Sequence, residues 1–398
     1  MPSSQRVVNF VNVAHFIDHM FLLIFPTAIL GMGREFGWSY GELLALSVGT
    51  FVMFGAGSLP AGWLGDRWSR RNMLVVFFTG IGAATALTGL STQPWMLAAG
   101  LTLIGVFSSI YHPIGGAMLA ANAGGRLGRV MGLNGVFGNI GIASAALVTG
   151  AITQYLGWRW AFIIPGAIAA LIGVAFWIAV PDGAGKAAVG KAGRKLDIPR
   201  ALVVRVFAVL TIVILVGGLI FQGATIALPK LFDERMDKLA DSAAMVGALA
   251  AAIYTVGAVA QLVVGRLVDR YSLKTSFLIV SAFAAPGLLI AAYATDWLML
   301  VAAGSVMIAI FGQVTINDTM VARYTTDEWR SRVFAVRYFV GFGVAAAAVP
   351  LISVLHQRGG GFATVFTALG TLGILVFVAA VLFPREQSHL KTAPAAAE

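Results

Sequence analysis

Apolar stretches of about 20 residues or more recur along the whole chain, separated by short polar connections. A stretch of that length crosses the roughly 30 Å hydrocarbon layer of a membrane as a helix. In lipid every backbone N–H and C=O must find its partner inside the segment, which favours helices. The period-two segments of a membrane barrel are not seen. The pattern predicts twelve transmembrane helices, at 8–31, 42–65, 72–91, 95–121, 128–154, 160–180, 203–228, 241–267, 273–293, 297–322, 331–355 and 362–383.

One interruption differs from the rest. Residues 181–202 hold Pro181, Asp182, several glycines, Lys186, Lys191, Arg194, Lys195 and Arg200. This composition reads as a flexible, basic cytoplasmic linker. It divides an N-terminal six-helix half, 1–180, from a C-terminal six-helix half, 203–383, and a polar, Ala-rich stretch at 384–398 reads as a flexible cytoplasmic tail. An internal repeat supports the division. Gly62-Trp63-Leu64-Gly65-Asp66-Arg67 returns 203 residues later as Gly265-Arg266-Leu267-Val268-Asp269-Arg270, and Arg129-Val130 returns at the same offset as Arg332-Val333. The expected fold is therefore an all-α integral membrane protein with two pseudo-symmetric halves related by an axis along the membrane normal.

Composition agrees. Only 11% of residues are charged and 59% are hydrophobic, against roughly 25% charged in soluble proteins. The net charge of +10 invites a nucleic-acid reading, but its placement argues against one. Arg6, Arg67, Arg70, Arg71, Arg126, Arg129, the linker cations, Arg266, Arg270, Lys274, Arg323, Arg330 and Arg332 fall on one side of the predicted topology. The other side holds Arg34, Arg159, Lys230, Arg235, Lys238 and Arg358. The positive-inside rule then places both termini in the cytoplasm, with a bacterial inner membrane as the setting. The first apolar run has no small-residue cleavage site and reads as a retained span. With no cysteine in the chain, disulfides and thiolate metal sites are excluded.

Ionisable groups inside the spans are the candidate chemistry. An Asp at a helix centre opposes insertion by about 2.5–3.5 kcal/mol, so such groups mark pathways or partners. Span one carries His15, Asp18 and His19, with Asn12, His15 and His19 on one helical face. His112 precedes Pro113 in span four. Gln222 lies in span seven at the repeat equivalent of His19, and span ten carries Gln313, Asn317 and Asp318. A buried carboxylate and nearby imidazoles suit proton carriage. The structural alternatives are an interhelical hydrogen-bond network and, at His112-Pro113, a simple kink. Arg337, two turns into span eleven, either snorkels to the surface, binds an anionic substrate or pairs with Asp318.

The loop Gly62-x-Leu64-x-Asp66-Arg67-x-x-Arg70-Arg71 resembles the signature between spans two and three of the major facilitator superfamily, and the likeness extends over essentially the whole chain. The second copy keeps Gly265, Leu267, Asp269, Arg270 and Lys274. Within that superfamily the chain is most similar to the fosmidomycin-resistance branch, through His15-Phe16-Ile17-Asp18, His112-Pro113 and Gly138-Asn139-x-Gly141. It departs from that branch in carrying Ile114-Gly115 after His-Pro, and it has neither the span-five Gly-Pro pair nor the span-four Arg of drug antiporters. The resemblance implies a monomer in which spans one, four, seven and ten line a central cavity. That arrangement would gather His15, Asp18, His19, His112, Gln222, Gln313, Asn317 and Asp318 around the pathway. It also implies a cytoplasmic gate of Asp66, Arg67, Arg70, Arg71, Arg129, Asp269, Arg270 and Arg332. Asp66 is expected to meet the start of span eleven near Arg332, and Asp269 the start of span five near Arg129.

These readings point to a secondary active transporter working by alternating access. The expected activity is proton-coupled export of a small amphipathic or anionic organic compound of drug or antibiotic type. Its partners would be that compound, protons and the lipid bilayer, with no cofactor. The first alternative is a transition-metal ion transporter whose ligands are His15, Asp18, His19 and His112. The alternative from another class is a transport-inactive membrane sensor or scaffold. No nucleophile–base pair or phosphate-cradling loop is evident, so neither an enzyme nor an ATP-driven pump is expected.

Overall fold

The computed structural model describes residues 2–123, 127–184, 199–325 and 327–385. Arg126, Lys186, Lys191, Arg194, Lys195 and the tail from 386 onward lie outside the described residues, as do the side chains of Arg34, Arg200, Arg330, Arg332 and Arg358.

Among the described residues the regular structure is helical, in twelve passes. Span one runs Pro2–Leu22 and continues as Ile24–Ala28. Span two is Tyr40–Ala45, Val48–Ala56 and Ser58–Arg67. Span three is Arg70–Thr88, and span four is Pro94–Ser108 followed by Tyr111–Asn122. Leu127–Leu156 and Trp158–Ala179 form spans five and six. Span seven joins Arg200–Ile212 to Gly218–Arg235 through a wide π turn at Val213–Gly217. Spans eight and nine are Ala243–Arg270 and Leu273–Ser281 with Ala284–Ala291. Asp296–Tyr324, Asp327–Leu355 and Gly361–Leu382 complete the set. Ten of these are long and apolar enough to cross a bilayer, and span two, bent by 41°, makes an eleventh. Span eleven is apolar only over Phe339–Leu355, because its first turns carry arginines.

Local chemistry sets the ends. Ser39 caps span two, accepting from the Glu42 backbone N–H while Glu42 accepts from that of Ser39 (2.8 Å). Ser69 and Ser272 cap spans three and nine in the two copies of the repeat. Arg71 closes the far end of span six, donating Nε–H to the Val180 carbonyl (2.9 Å) and a second N–H to that of Trp177. Its repeat partner Lys274 does the same for span twelve, at the Val381 and Phe383 carbonyls (2.7 and 2.6 Å). Cations suit helix C-termini because the terminal carbonyls carry partial negative charge.

The two series of six pack alike. Spans one and five pair as seven and eleven do, two and four as eight and ten, three and six as nine and twelve. Spans three and six touch backbone to backbone at Gly82 and Gly166, where a Cβ on either would sit 2.5 Å from a main-chain nitrogen of the other helix. The series meet through spans five and eight and through spans two and eleven.

Both junctions are closed at the face away from the cation-rich loops. Gly150 and Gly247 bring spans five and eight into backbone contact there, and the Ala243 N–H donates to Gln154 Oε1 (3.3 Å). Ser353 Oγ donates to the Gly41 carbonyl (2.8 Å) between spans eleven and two. Asn139 Nδ2 donates to Gln261 Oε1 (2.5 Å) midway. Beyond that crossing, Gly132, Gly135 and Gly265 face open space among the described residues. The described hydrogen bonds that join the two series thus lie midway and at the face away from the cation-rich loops.

At the sealed face Glu35 takes a bidentate pair from Arg159 (2.5 and 2.7 Å) and a hydrogen bond from Trp158 Nε1 (2.8 Å). The Arg159 guanidinium holds the Glu35 carboxyl below the usual carboxylate range. A group lowered in this way stabilises the fold above its unfolded pKa and loses that contribution as pH falls through its folded one. Glu35→Gln is therefore expected to flatten the acid side of the stability profile, below about pH 4.3. The loss at neutral pH should stay under about 1 kcal/mol, because the pair is half exposed. Melting temperature against pH for both proteins checks this.

Candidate transport site

Span one presents His15, Asp18 and His19 toward spans four and five. Span four is broken just where they arrive. Pro113 has no N–H to return to the carbonyl four residues earlier, and the helix interrupts at Ser109–Ile110. The break carries Ser108 on one side and Tyr111 and His112 on the other, all against span one. Span five makes room for them. A Cβ at Gly138 would lie 2.7 Å from the His15 ring, and one at Gly141 would lie 2.4 Å from the Phe16 carbonyl oxygen.

The polar groups form a connected network. The Asn134 backbone carbonyl lies 2.7 Å from His15 Nδ1. A carbonyl only accepts, so Nδ1 carries the proton and a neutral His15 offers Nε2 as acceptor. His19 Nε2–H then donates to it across 3.0 Å. The Asn134 side chain accepts from the Tyr111 hydroxyl (2.9 Å) and donates to Asn12 Oδ1 (3.0 Å). The Tyr111 ring stacks on His15 with centroids 4.8 Å apart.

Asp18 is completely buried. Its Oδ1 accepts from Ser108 Oγ. Its Oδ2 receives no hydrogen bond and lies 3.4 Å from His112 Nε2, too far for a well-formed one. A buried carboxylate must be neutralised or paired. Here a single proton decides which: on Asp18 the pair is neutral, on His112 it is an ion pair.

The other sequence-predicted residues form separate groups. Gln313 Nε2 donates to Asn317 Oδ1 (3.0 Å) within span ten, both buried. Asp318 pairs with Arg337 of span eleven, which is the pairing expected as one of three possibilities. Gln222 is half-buried in span seven. Among the described contacts none joins these groups to the histidines. Ser108, Tyr111 and Asn134 were not singled out in the sequence. A signal was present for Asn134, which is the repeat equivalent of Arg337.

Residues 11–239 and 236–398 match the family described as the Major Facilitator Superfamily. The chain belongs to this superfamily. It is a multi-pass membrane protein, and its solved neighbours carry the same fold. One is a bacterial homologue of the human lysosomal transporter Spinster, at TM-score 0.76 and 14% identity, covering 99% of this chain and all of that one. Another is a D-xylose-proton symporter, at TM-score 0.74 and 15% identity, covering 95% of this chain and 96% of that one. Similar curated proteins include the puromycin resistance protein of Streptomyces alboniger, 29% identical over 150 residues. A protein named "Probable actinorhodin transporter" of Streptomyces coelicolor is 27% identical over 180 residues. These matches span 37% and 43% of this chain, and only 30% of each relative's own length.

The superfamily loop residues sit at the cation-rich face. Asp66 pairs with Arg70 of its own loop (2.7 Å), and Arg67 lies over the Trp63 ring (4.7 Å). Arg129, Asp269 and Arg270 are exposed. Arg71 caps span six rather than reaching across to the other half. The side chain of Arg332 lies outside the described residues.

Proposed function

We propose that this transporter is a proton-coupled exporter of a small amphipathic or anionic organic compound, with the Asp18–His112 pair as its proton carrier. The observation that carries the reading is the buried Asp18 Oδ2, facing an imidazole at 3.4 Å in a span-one to span-four contact. The relatives point to the compound class: among them are proteins named for puromycin resistance and for tetracenomycin C resistance and export. Another is named as a Na(+), Li(+), K(+)/H(+) antiporter. The likeness to the fosmidomycin-resistance branch belongs to this reading through the motifs at His15, His112 and Gly138.

With the cation-rich face in the cytoplasm, an exporter loads from that face. In the opposite state the gate would close there, with Asp66 against the start of span eleven and Asp269 against that of span five. Each half, 1–180 and 203–383, would move as a unit about the linker. Arg337 and Asp318 would offer an exchangeable ion pair to an anionic group. The test uses the purified protein in liposomes holding a pH-sensitive dye. Puromycin and a small phosphonate, each added outside, should drive proton movement opposite to their own uptake. Uptake that proceeds at one rate whatever the pH gradient would overturn the coupling.

A further inference from the structure

The histidines do more than neighbour Asp18. One ring nitrogen from each of His15, His19 and His112 lies within 4.8 Å of those of the other two. The rings crowd with centroids 4.7 Å apart for His15–His19, 5.5 Å for His15–His112 and 5.7 Å for His19–His112. Three imidazoles facing one point make an uncommon donor set inside a membrane bundle.

Two details suit this set to an ion. The first is the direction of His15. Its Nδ1–H is engaged by the Asn134 carbonyl, which leaves Nε2 with its lone pair toward His19. Metal-binding histidines are held in this way, the second nitrogen donating to a carbonyl or carboxylate that fixes ring and tautomer. Asn134 is itself fixed by Tyr111 and Asn12. The second is charge. Asp18, fully buried and with one oxygen lacking a hydrogen bond, stands 3.4 Å from His112. A cation between the rings would displace the proton of the Asp18–His112 pair to solvent and find its compensating negative charge in the Asp18 carboxylate.

The closest pair is spaced for an ion, and His112, whose nitrogen lies within 4.8 Å of the other two, closes onto it on binding. Two nitrogens about 2.0–2.1 Å from one zinc in tetrahedral geometry are roughly 3.3–3.4 Å apart. His15 Nε2 and His19 Nε2 are 3.0 Å apart, so a rotation of one ring by a few tenths of an ångström opens them enough. Imidazole is a favoured ligand for zinc, copper and nickel, and a poor one for magnesium. The chain has no cysteine to compete for such an ion.

We propose that His15, His19 and His112, with Asp18 as the compensating carboxylate, form a binding site for one first-row divalent transition-metal ion of the Zn2+ type. On binding, the His19 proton moves from Nε2 to Nδ1, so that the Nε2 lone pairs of His15 and His19 both face the ion. This site stands independently of proton coupling, since it requires only the donor set, and its test involves no transport.

The experiment is an equilibrium titration of the full-length protein in detergent with Zn2+ against a chromophoric chelator. Mg2+ serves as the negative ion and His356→Gln as the negative variant, since His356 lies at the sealed face away from the cluster. The expected result is one Zn2+ per chain, unchanged in His356→Gln and by excess Mg2+. Affinity should fall by at least about tenfold in His19→Gln and in His112→Gln, the scale on which even outer partners of a metal site act. Two variants guard against one that misfolds, each checked by its melting temperature without metal. Zn2+ binding that persists in both cluster variants, or that disappears equally in His356→Gln, would overturn the site, as would no binding at all.

Discussion

Asp18→Asn is expected to abolish accumulation against a gradient while leaving exchange of substrate across the membrane intact. The amide has nearly the volume of the carboxyl and keeps an oxygen for Ser108. What it loses is the ability to take up and release a proton. A buried carboxylate is costly unless paired, so the variant should be no less stable than the parent, and a lower melting temperature is not the expected cause of any loss. In proteoliposomes, uptake driven by a pH gradient should fall to background, whereas counterflow of labelled against unlabelled substrate should continue. The two readouts separate a coupling residue from a structural one. Full gradient-driven uptake by Asp18→Asn would remove Asp18 from the proton path and leave it as an interhelical tie.

Gly247→Leu should tip the protein toward a state in which spans five and eight stand apart at the sealed face. A Cβ at Gly247 would lie 2.3 Å from the Ala146 carbonyl oxygen, and one at Gly150 would lie 2.4 Å from that of Ala243. No flexible side chain stands in between, so spans five and eight must separate. Overpacking of this kind costs about 1–3 kcal/mol. Because the penalty falls only on the state in which these helices touch, the conformational equilibrium should move by about 5–150-fold. The protein lends itself to the measurement, having no cysteine to remove. Thr149→Cys, at a side chain 1% exposed one residue before Gly150, should resist a membrane-impermeant maleimide. The same cysteine combined with Gly247→Leu should react readily. Equal protection in both proteins would show that the glycine contact does not hold the seal.

Much of this architecture was legible in the chain because lipid leaves the backbone so few choices. Of the twelve apolar runs, ten became helices long and apolar enough to cross and an eleventh a bent pair among the described residues, and most limits differ from expectation by only a few residues. The larger shifts have a common cause. Span one starts at Pro2 rather than near 8, and span seven continues to Arg235 rather than to 228. In both, polar residues extend a helix beyond its hydrocarbon portion, where hydropathy says nothing. The clustering of His15, Asp18, His19 and His112 was also legible, since charge inside a span is rarely idle.

The partners were harder to see. Ser108, Tyr111 and Asn134 are single polar residues in apolar helices, where such groups commonly serve as ties between spans. Only the break before Pro113 and the space left by Gly138 bring them to His15 and Asp18. Arg71 looked like part of a moving gate because it stands in the loop signature. Its work as a clamp depends on where span six ends in space, and the matching contact of Lys274 with span twelve shows that the signature also fastens each half internally.

Asp18 has no acidic counterpart at the repeat position in span seven, which is occupied by Phe221. The other acid deep in the central spans, Asp318, is matched by Arg337. If one carboxylate carries the coupling, each turnover can exchange only one proton. The driving force then has a ceiling: for a neutral exchange, one pH unit supplies about 1.4 kcal/mol, or about a tenfold concentration ratio. Such a pump would defend a cell against dilute, slowly entering compounds, and would be overrun by those that leak back faster than single protons can eject them.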